Sequence, residues 1–364
     1  MHVLSKSSYI RGRQCPKALW LSKHRRDLKA PVDEAKQAIF NTGTEVGLLA
    51  RGLFPGGVDC SPLSPNDFGP AILATKAAIQ RGERVIYEAA FLHDEVLVAL
   101  DILVRDGDEW TAYEVKSTTA AKDYHVQDAA LQAHVIEGNG LRLAEVRIVH
   151  LDNNYVRQGP LDVKELFGIT SVKAAVDSER RDVPERIAQL KATVQALEEP
   201  QVGIGPHCDD PFECDYKGYC WAHVPKERSV FDLVRGGKRV WELYGRGVLR
   251  LEDIPEAEKL SAAQRTQVDG WQRGRSVIDR ARINEFVRSL QYPLHHLDFE
   301  TLNPAIPLYD GTRPYQQVPF QYSLHTEAVT GAEPTHRAFL ADGKSDPRHA
   351  LIRKLLDYLG STGD

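Results

Sequence analysis

The strongest chemical signal in the sequence lies in two neighbouring segments, Leu100-Asp101-Ile102 and Tyr113-Glu114-Val115-Lys116-Ser117. Both sit in runs rich in Val, Leu and Ile, where Asp and Lys are disfavoured. Glu114 and Lys116 are two residues apart, so on a strand they share one face. The segment Arg105-Asp106-Gly107-Asp108 supplies a hairpin turn. Pairing around it sets Asp101 near the level of Ala112 and Tyr113, and two carboxylates and an ammonium meet at one end of the hairpin. That group suits phosphodiester hydrolysis. Carboxylate oxygens hold a hard cation, Mg²⁺ or Mn²⁺, which polarises the phosphate and activates water. The lysine orients that water and stabilises the growing charge. The same spacing also fits a surface hairpin whose polar face carries a salt bridge.

The flanking residues extend this pattern. Glu88, on the preceding strand, can supply a further carboxylate. On the following helix Tyr124, Asp128 and Gln132 recur at i, i+4 and i+8, a polar stripe beside Ala129, Ala130 and Ala133. A second constellation is made of cysteines. Cys208, Cys214 and Cys220 are evenly spaced in a loop broken by Pro211 and Gly218, and Cys15 precedes Pro16 near the start of the chain. Four thiolates suit either a cubane iron–sulfur cluster or a tetrahedral zinc, with His207 as an alternative ligand. The close C-x₂₋₄-C pairs usual for zinc are missing. Cys60 reads as a structural bystander.

The elements that must position these residues follow from the hydrophobic pattern. Helices are expected over 33–53 and 68–81, and strands over 84–91, 96–104 and 109–116, the first two strands joined by a turn at His93-Asp94. A helix from about Asp123 to Glu137, ended by Gly138, and a strand from Val146 to Leu151 complete a mixed α/β sheet domain. Residues 172–198 read as one long polar helix. The stretch 229–290 reads as helical with an internal turn at Leu243 to Val248, and a new strand begins near Tyr292.

Composition narrows the class. The 364 residues are 42% apolar and 27% charged, as in ordinary globular proteins. No apolar run has the length of a membrane span, and the first residues lack the apolar core of a signal peptide, so a cytoplasmic location without membrane association is expected. The net charge of −5 gives no global signature of nucleic-acid binding. Arg11, Arg13, Lys17, Lys23, Arg25, Arg26 and Lys29 nevertheless form a local basic cluster that suits phosphate contacts or a solvated helix face.

Asp101, the Glu114-Val115-Lys116 triplet and a helical Gln132 together resemble the RecB-type branch of the PD-(D/E)XK nucleases, which includes the RecB-like nucleases of CRISPR adaptation. The resemblance implies a restriction-endonuclease-like mixed sheet flanked by helices. It also implies a metal held by Asp101 and Glu114, a catalytic Lys116, and Gln132 in a Q-x-x-x-Y motif. Two departures stand out. Ile136 occupies the tyrosine position, and no histidine lies on the early helix, where Glu45 takes its place. One N-terminal and three clustered C-terminal cysteines resemble the cluster-bearing members, which implies a structural [4Fe-4S] centre on Cys15, Cys208, Cys214 and Cys220.

Towards the C-terminus, Asp298 and Glu300 form a D-x-E pair on an expected first strand, similar to the two-metal site of DEDD exonucleases with a ribonuclease H-like fold. With Pro314 to His325 it resembles a domain found behind RecB-like nucleases in uncharacterised bacterial proteins, a resemblance that covers nearly all of the chain. The expected organisation is a nuclease domain over 1–227, a helical, helix-hairpin-helix-like linker over 228–290, and a ribonuclease H-like domain from 291 to 364. Its later acidic motifs would lie beyond Asp364. The expected activity is metal-dependent cleavage of DNA, as an exonuclease on single strands or duplex ends. Two alternatives are a non-catalytic nucleic-acid-binding module on the same scaffold and a zinc-stabilised interaction protein.

Overall fold

The computed structural model describes residues 3–64 and 67–364. The chain divides into two compact units, one of residues 1–152 and 162–274, the other of residues 153–161 and 275–364.

The first unit begins with a two-residue strand β1 (Leu4–Ser5) and helices α1 (Lys6–Gln14) and α2 (Pro16–His24), which share Cys15 as cap. Ser5 caps α1 by accepting from the Ser8 amide, and Pro16 takes the first position of α2, where no amide is missed. Helix α3 (Glu34–Ala50), capped by Asp33, leads to β2 (Val58–Asp59) and to α4 (Gly69–Arg81), which ends on Gly82 in the left-handed region. Then come β3 (Val85–His93), β4 (Val96–Asp106), β5 (Glu109–Lys116), α5 (Asp123–Gly138) and β6 (Leu143–Leu151). A short α6 (Val163–Leu166), β7 (Phe167–Ser171), α7 (Lys173–Glu179) and α8 (Val183–Gln195) follow.

The result is a seven-stranded mixed sheet of order β2-β3-β4-β5-β6-β7, with β1 added beside β4. The β3–β4 and β4–β5 pairs are antiparallel hairpins, whereas β5 and β6 run parallel, as the intervening α5 crossover requires. The central core of the unit includes Ile86, Leu100, Leu103, Leu131, Ile136 and Ile148. The three expected strands before α5, and α5 itself, form within about two residues of the anticipated limits. The long polar helix over 172–198 does not form: it breaks into α7, a 3-10 turn at Arg180–Asp182, and α8. Pro184, in the first turn of α8, cannot donate the amide bond that a continuous helix needs.

The cysteine-bearing loop includes α9 (Lys217–Cys220). Beyond it α10 (Lys238–Gly245) and α11 (Ala262–Gln272) pack Val240, Leu243 and Val268 around a small core of their own with Leu251 and Ile254. The segment between these helices, which includes a 3-10 turn at Leu251–Asp253, is longer than a tight helix hairpin.

In the second unit α12 (Arg280–Ser289) precedes an antiparallel sheet of β8 (Leu294–Leu302), β9 (Val318–Glu327) and β10 (Thr335–Leu340), with β9 in the middle. Helix α13 (Arg348–Leu359) packs Leu351 and Leu355 on Tyr322, Leu324 and Phe339 of one sheet face. No described helix is long and apolar enough to cross a membrane.

Leu131 is fully buried where α5 meets the sheet. Leu131→Ala is expected to lower the unfolding free energy by about 2–5 kcal/mol, measured by urea denaturation of the first-unit transition.

Candidate active site

The backbone opens where the carboxylates lie. The β4–β5 register runs from Asp106 opposite Glu109 to Ile102 opposite Tyr113, and there the ladder stops. Continuing it by one step sets Asp101 level with Glu114, one residue beyond the expected level of Ala112 and Tyr113, because Gly107-Asp108 alone forms the turn. On the other side, the β3–β4 register passes from Tyr87 opposite Ile102 to Ala89 opposite Leu100 and skips Glu88 and Asp101. Glu88 has φ +51, a left-handed conformation unusual for a side-chain-bearing residue in a strand. The three central strands therefore part at one level, which carries Glu88, Asp101 and Glu114. The Val115 amide, freed from the ladder, donates to Asp101 Oδ2 at 2.6 Å.

Glu114 is 2% exposed and is the hub. Lys6 Nζ and Lys116 Nζ each donate to its Oε1 at 2.7 Å, and Gln132 Nε2 donates to its Oε2 at 2.7 Å. Gln132 also donates to the Ala99 carbonyl at 3.3 Å. Lys116 makes a second bond to Asp128 Oδ2 at 2.6 Å, and Lys6 lies 3.6 Å from the same oxygen. Asp128 Oδ1 is buried without a hydrogen-bond partner. Glu88 stands 3.5 Å from Arg51, which also pairs with Asp59.

Burial disfavours charge on Glu114, but Lys116 and Lys6 outweigh it and hold the carboxyl below its usual range. Asp101 moves the opposite way, well above its ordinary value, through burial and then the charge of Glu114. Burial likewise works against both ammonium groups. Asp128 and Glu114 more than offset it for Lys6, and Glu114 and Asp128 do so for Lys116, so both pKa values rise. The carboxylates of buried Glu114 and half-buried Asp101, with the orphaned Asp128 oxygen, are oxygen donors of the type that a hard divalent cation takes. Among the described residues, no three or more His, Cys, Asp or Glu side chains are gathered as around a bound ion.

Of the residues anticipated for this site, Asp101, Glu114, Lys116 and Gln132 come together and Glu88 lies alongside. Glu45 is exposed on α3, and none of the cluster's hydrogen bonds or ion pairs reaches it. Ile136, at the tyrosine position, is fully buried in the core. Asp298 and Glu300 are exposed on β8, two residues apart, and Asp298 is level with Ser323. Sequence reasoning missed Lys6. β1 pairs with β4 at Val96 and Leu97, beyond the stretch that β5 reaches, and α1 begins at once with Lys6. A two-residue strand has no readable periodicity. His125 was missed as well. It is buried near Lys116 and accepts from the Lys122 amide at 3.1 Å, with its pKa pushed down to about 4 by burial and then by Lys116.

The four anticipated cysteines surround one small cavity, together with Lys17, His207 and Trp221. Cys15 sits at the α1–α2 junction, Cys208 ends a 3-10 turn, and Cys220 ends α9. The Cys214 amide donates to the Cys208 carbonyl at 2.8 Å, closing the loop. Burial raises the Cys15, Cys214 and Cys220 thiols, Cys214 to about 11, and the other three cysteines add to the rise at Cys214. The four thiols line this one cavity without being gathered as around a single bound ion. A polynuclear cluster, with one thiolate on each metal, needs a wider set than one zinc bound at about 2.3 Å from each sulfur. Cys60 is buried in the central core, apart from this group.

Residues 295–364 match a family described as a domain of unknown function (DUF2779). No curated protein matches the chain. Among solved structures, one titled "Crystal structure of SSO0001" aligns at 12% identity over 61% of this chain and 87% of its own, with a TM-score of 0.31.

The His125 shift sets a pH dependence. Its ordinary pKa of 6.5 falls to about 4 in the fold, so between these values the unfolded chain binds a proton that the folded imidazole refuses. Stability should therefore decline as pH falls from 6.5 towards 4. In His125→Asn, denaturation measured across this window should show a smaller decline.

Proposed function

We propose that the first unit is a PD-(D/E)XK nuclease domain that hydrolyses phosphodiester bonds in DNA with Mg²⁺ or Mn²⁺, as an exonuclease on single strands or duplex ends. The observation that carries this reading is the convergence of Lys6, Lys116 and Gln132 on buried Glu114 at the level where Asp101 leaves the strand ladder. Asp101 and Glu114 would hold the cation, with Glu88 close enough to contribute to its field. When bound, the cation supplies a Lewis acid for the phosphate and an activated water. Gln132 fixes the Glu114 carboxylate by occupying its second oxygen. Lys116, held charged between Glu114 and Asp128, is placed to neutralise charge that builds on the phosphate oxygens.

Lys116→Ala is expected to lower Mg²⁺-dependent cleavage of single-stranded DNA by roughly two to three orders of magnitude while leaving the circular dichroism spectrum unchanged. Parent-like cleavage by this variant would remove the assignment. DNA binding by the parent without metal-dependent turnover would favour a non-catalytic module.

The cysteine centre is read as a structural [4Fe-4S] cluster on Cys15, Cys208, Cys214 and Cys220. Support comes from their meeting at one cavity across nearly two hundred residues of chain, a closure that restricts the unfolded state. The raised thiols imply that loading releases protons. Anaerobically purified protein should carry about four irons per chain and absorb broadly near roughly 400 nm, and Cys208→Ser should lose both features. Zinc in place of iron would refute the cluster and favour the zinc-stabilised interaction protein.

The second unit is read as a ribonuclease H-like domain. Its three-stranded antiparallel sheet has Asp298 and Glu300 on β8, with α13 on one face.

A further inference from the structure

A second polar site lies in the first unit, outside the Glu114 cluster. It is a pocket of about 330 Å³ bordered by the start of α1, the end of α2 and the cysteine-bearing loop. Arg11, Lys23, Arg26 and Lys29 line it, with Ser5 and Ser8, whose hydroxyls donate within the cap of α1. One carboxylate, Asp215, serves Arg11 at 3.2 Å, Lys29 at 3.4 Å and also Lys36, so three cations share one anion. Lys23 and Arg26 meet no carboxylate among the described residues, and Arg26 Nε donates only to the Ser22 carbonyl, at 3.1 Å. The positive charge here exceeds what the fold neutralises.

Tyr216 supplies an independent observation. It is fully buried and also lines the pocket, yet its hydroxyl has no hydrogen-bond partner. A buried hydroxyl left unpaired is costly unless something that enters the pocket meets it. The guanidinium of Arg26, the ammonium of Lys23 and the Tyr216 hydroxyl match the oxygens of a phosphate, which accept from all three.

We propose that this pocket binds a phosphate group of a nucleic-acid strand, with Arg26 and Lys23 at its mouth and the Tyr216 hydroxyl donating from its floor. The link to the strand rests on the nuclease reading. Ser5 and Ser8 of the pocket flank Lys6 of the Glu114 cluster at the start of α1, so the pocket and the proposed cleavage site share one helix end. The phosphate is either a terminal phosphomonoester or an internal phosphodiester.

The test measures binding of a short 3′-fluorescein single-stranded DNA, with either a 5′-phosphate or a 5′-hydroxyl, to the full chain in chelator. The Lys23→Ala/Arg26→Ala double variant should bind roughly tenfold more weakly and reduce the slope of log affinity against log salt by about 0.7, the share of one phosphate on a single strand. Tyr216→Phe, which keeps the ring in place, should weaken binding roughly fivefold. Loss confined to the 5′-phosphorylated strand identifies a terminal phosphate, and equal loss for both strands identifies an internal one. Parent-like affinity and salt slope in both variants would overturn the proposal. Lys116→Ala run alongside separates the two readings: parent-like cleavage by it refutes the assignment of hydrolysis to the Glu114 cluster, while the pocket still stands or falls on the binding data.

Discussion

The first unit is organised around one desolvated carboxylate. Glu114, 2% exposed, keeps its charge in the middle of a sheet only because Lys6, Lys116 and Gln132 all direct donors at it. Removing any of them leaves a buried charge partly uncompensated, which costs far more than the loss of a surface ion pair. Several features of the fold serve that requirement. β4 gives up β5 as a partner beyond Ile102 and takes β1 at Val96 and Leu97, and the gap between them admits Lys6. Glu88 adopts a left-handed backbone at the same level, so three adjacent strands part where three carboxylates lie.

Helix α1 joins this cluster to the cysteine group. Lys6 is its first residue and Cys15 caps its other end, a span of roughly 13 Å at the rise of an α-helix. The ring of Tyr124, at the start of α5, lies 5.2 Å from that of Phe212 in the cysteine-bearing loop. The loop therefore braces both helices that deliver side chains to Glu114, Lys6 from α1 and Gln132 from α5. On the proposed reading, a centre bound by these cysteines would act mechanically, fixing the elements that deliver Lys6 and Gln132 to Glu114.

Much of this was legible in the sequence where the pattern was local. The strands from Val85 to Lys116 follow from apolar runs cut by the Asp106-Gly107 turn, and α5 from a helical stripe ended at Gly138. Asp101, Glu114, Lys116 and Gln132 stood out because polar residues interrupt apolar segments. The registry of Asp101 was missed by one residue, since turn length sets register and two turn lengths fit the same residues. Lys6 was not legible: it depends on a two-residue strand docking about ninety positions away in the chain. The continuous helix expected over 172–198 fails because Pro184 outweighs the helical period around it. Glu45, placed by analogy with an absent histidine, is exposed on α3 and takes no part in the cluster's hydrogen bonds.

The central claim is that the Glu114 cluster is a seat for a divalent cation which Lys6 and Lys116 occupy in its absence. Anomalous diffraction from crystals of the full chain soaked in Mn²⁺ tests it most directly. The account predicts a manganese peak bounded by Asp101 and Glu114, with at least one ammonium displaced from Glu114 Oε1 and Gln132 still on Oε2. No manganese at this position, with Lys6 and Lys116 both retained on Glu114, would contradict it.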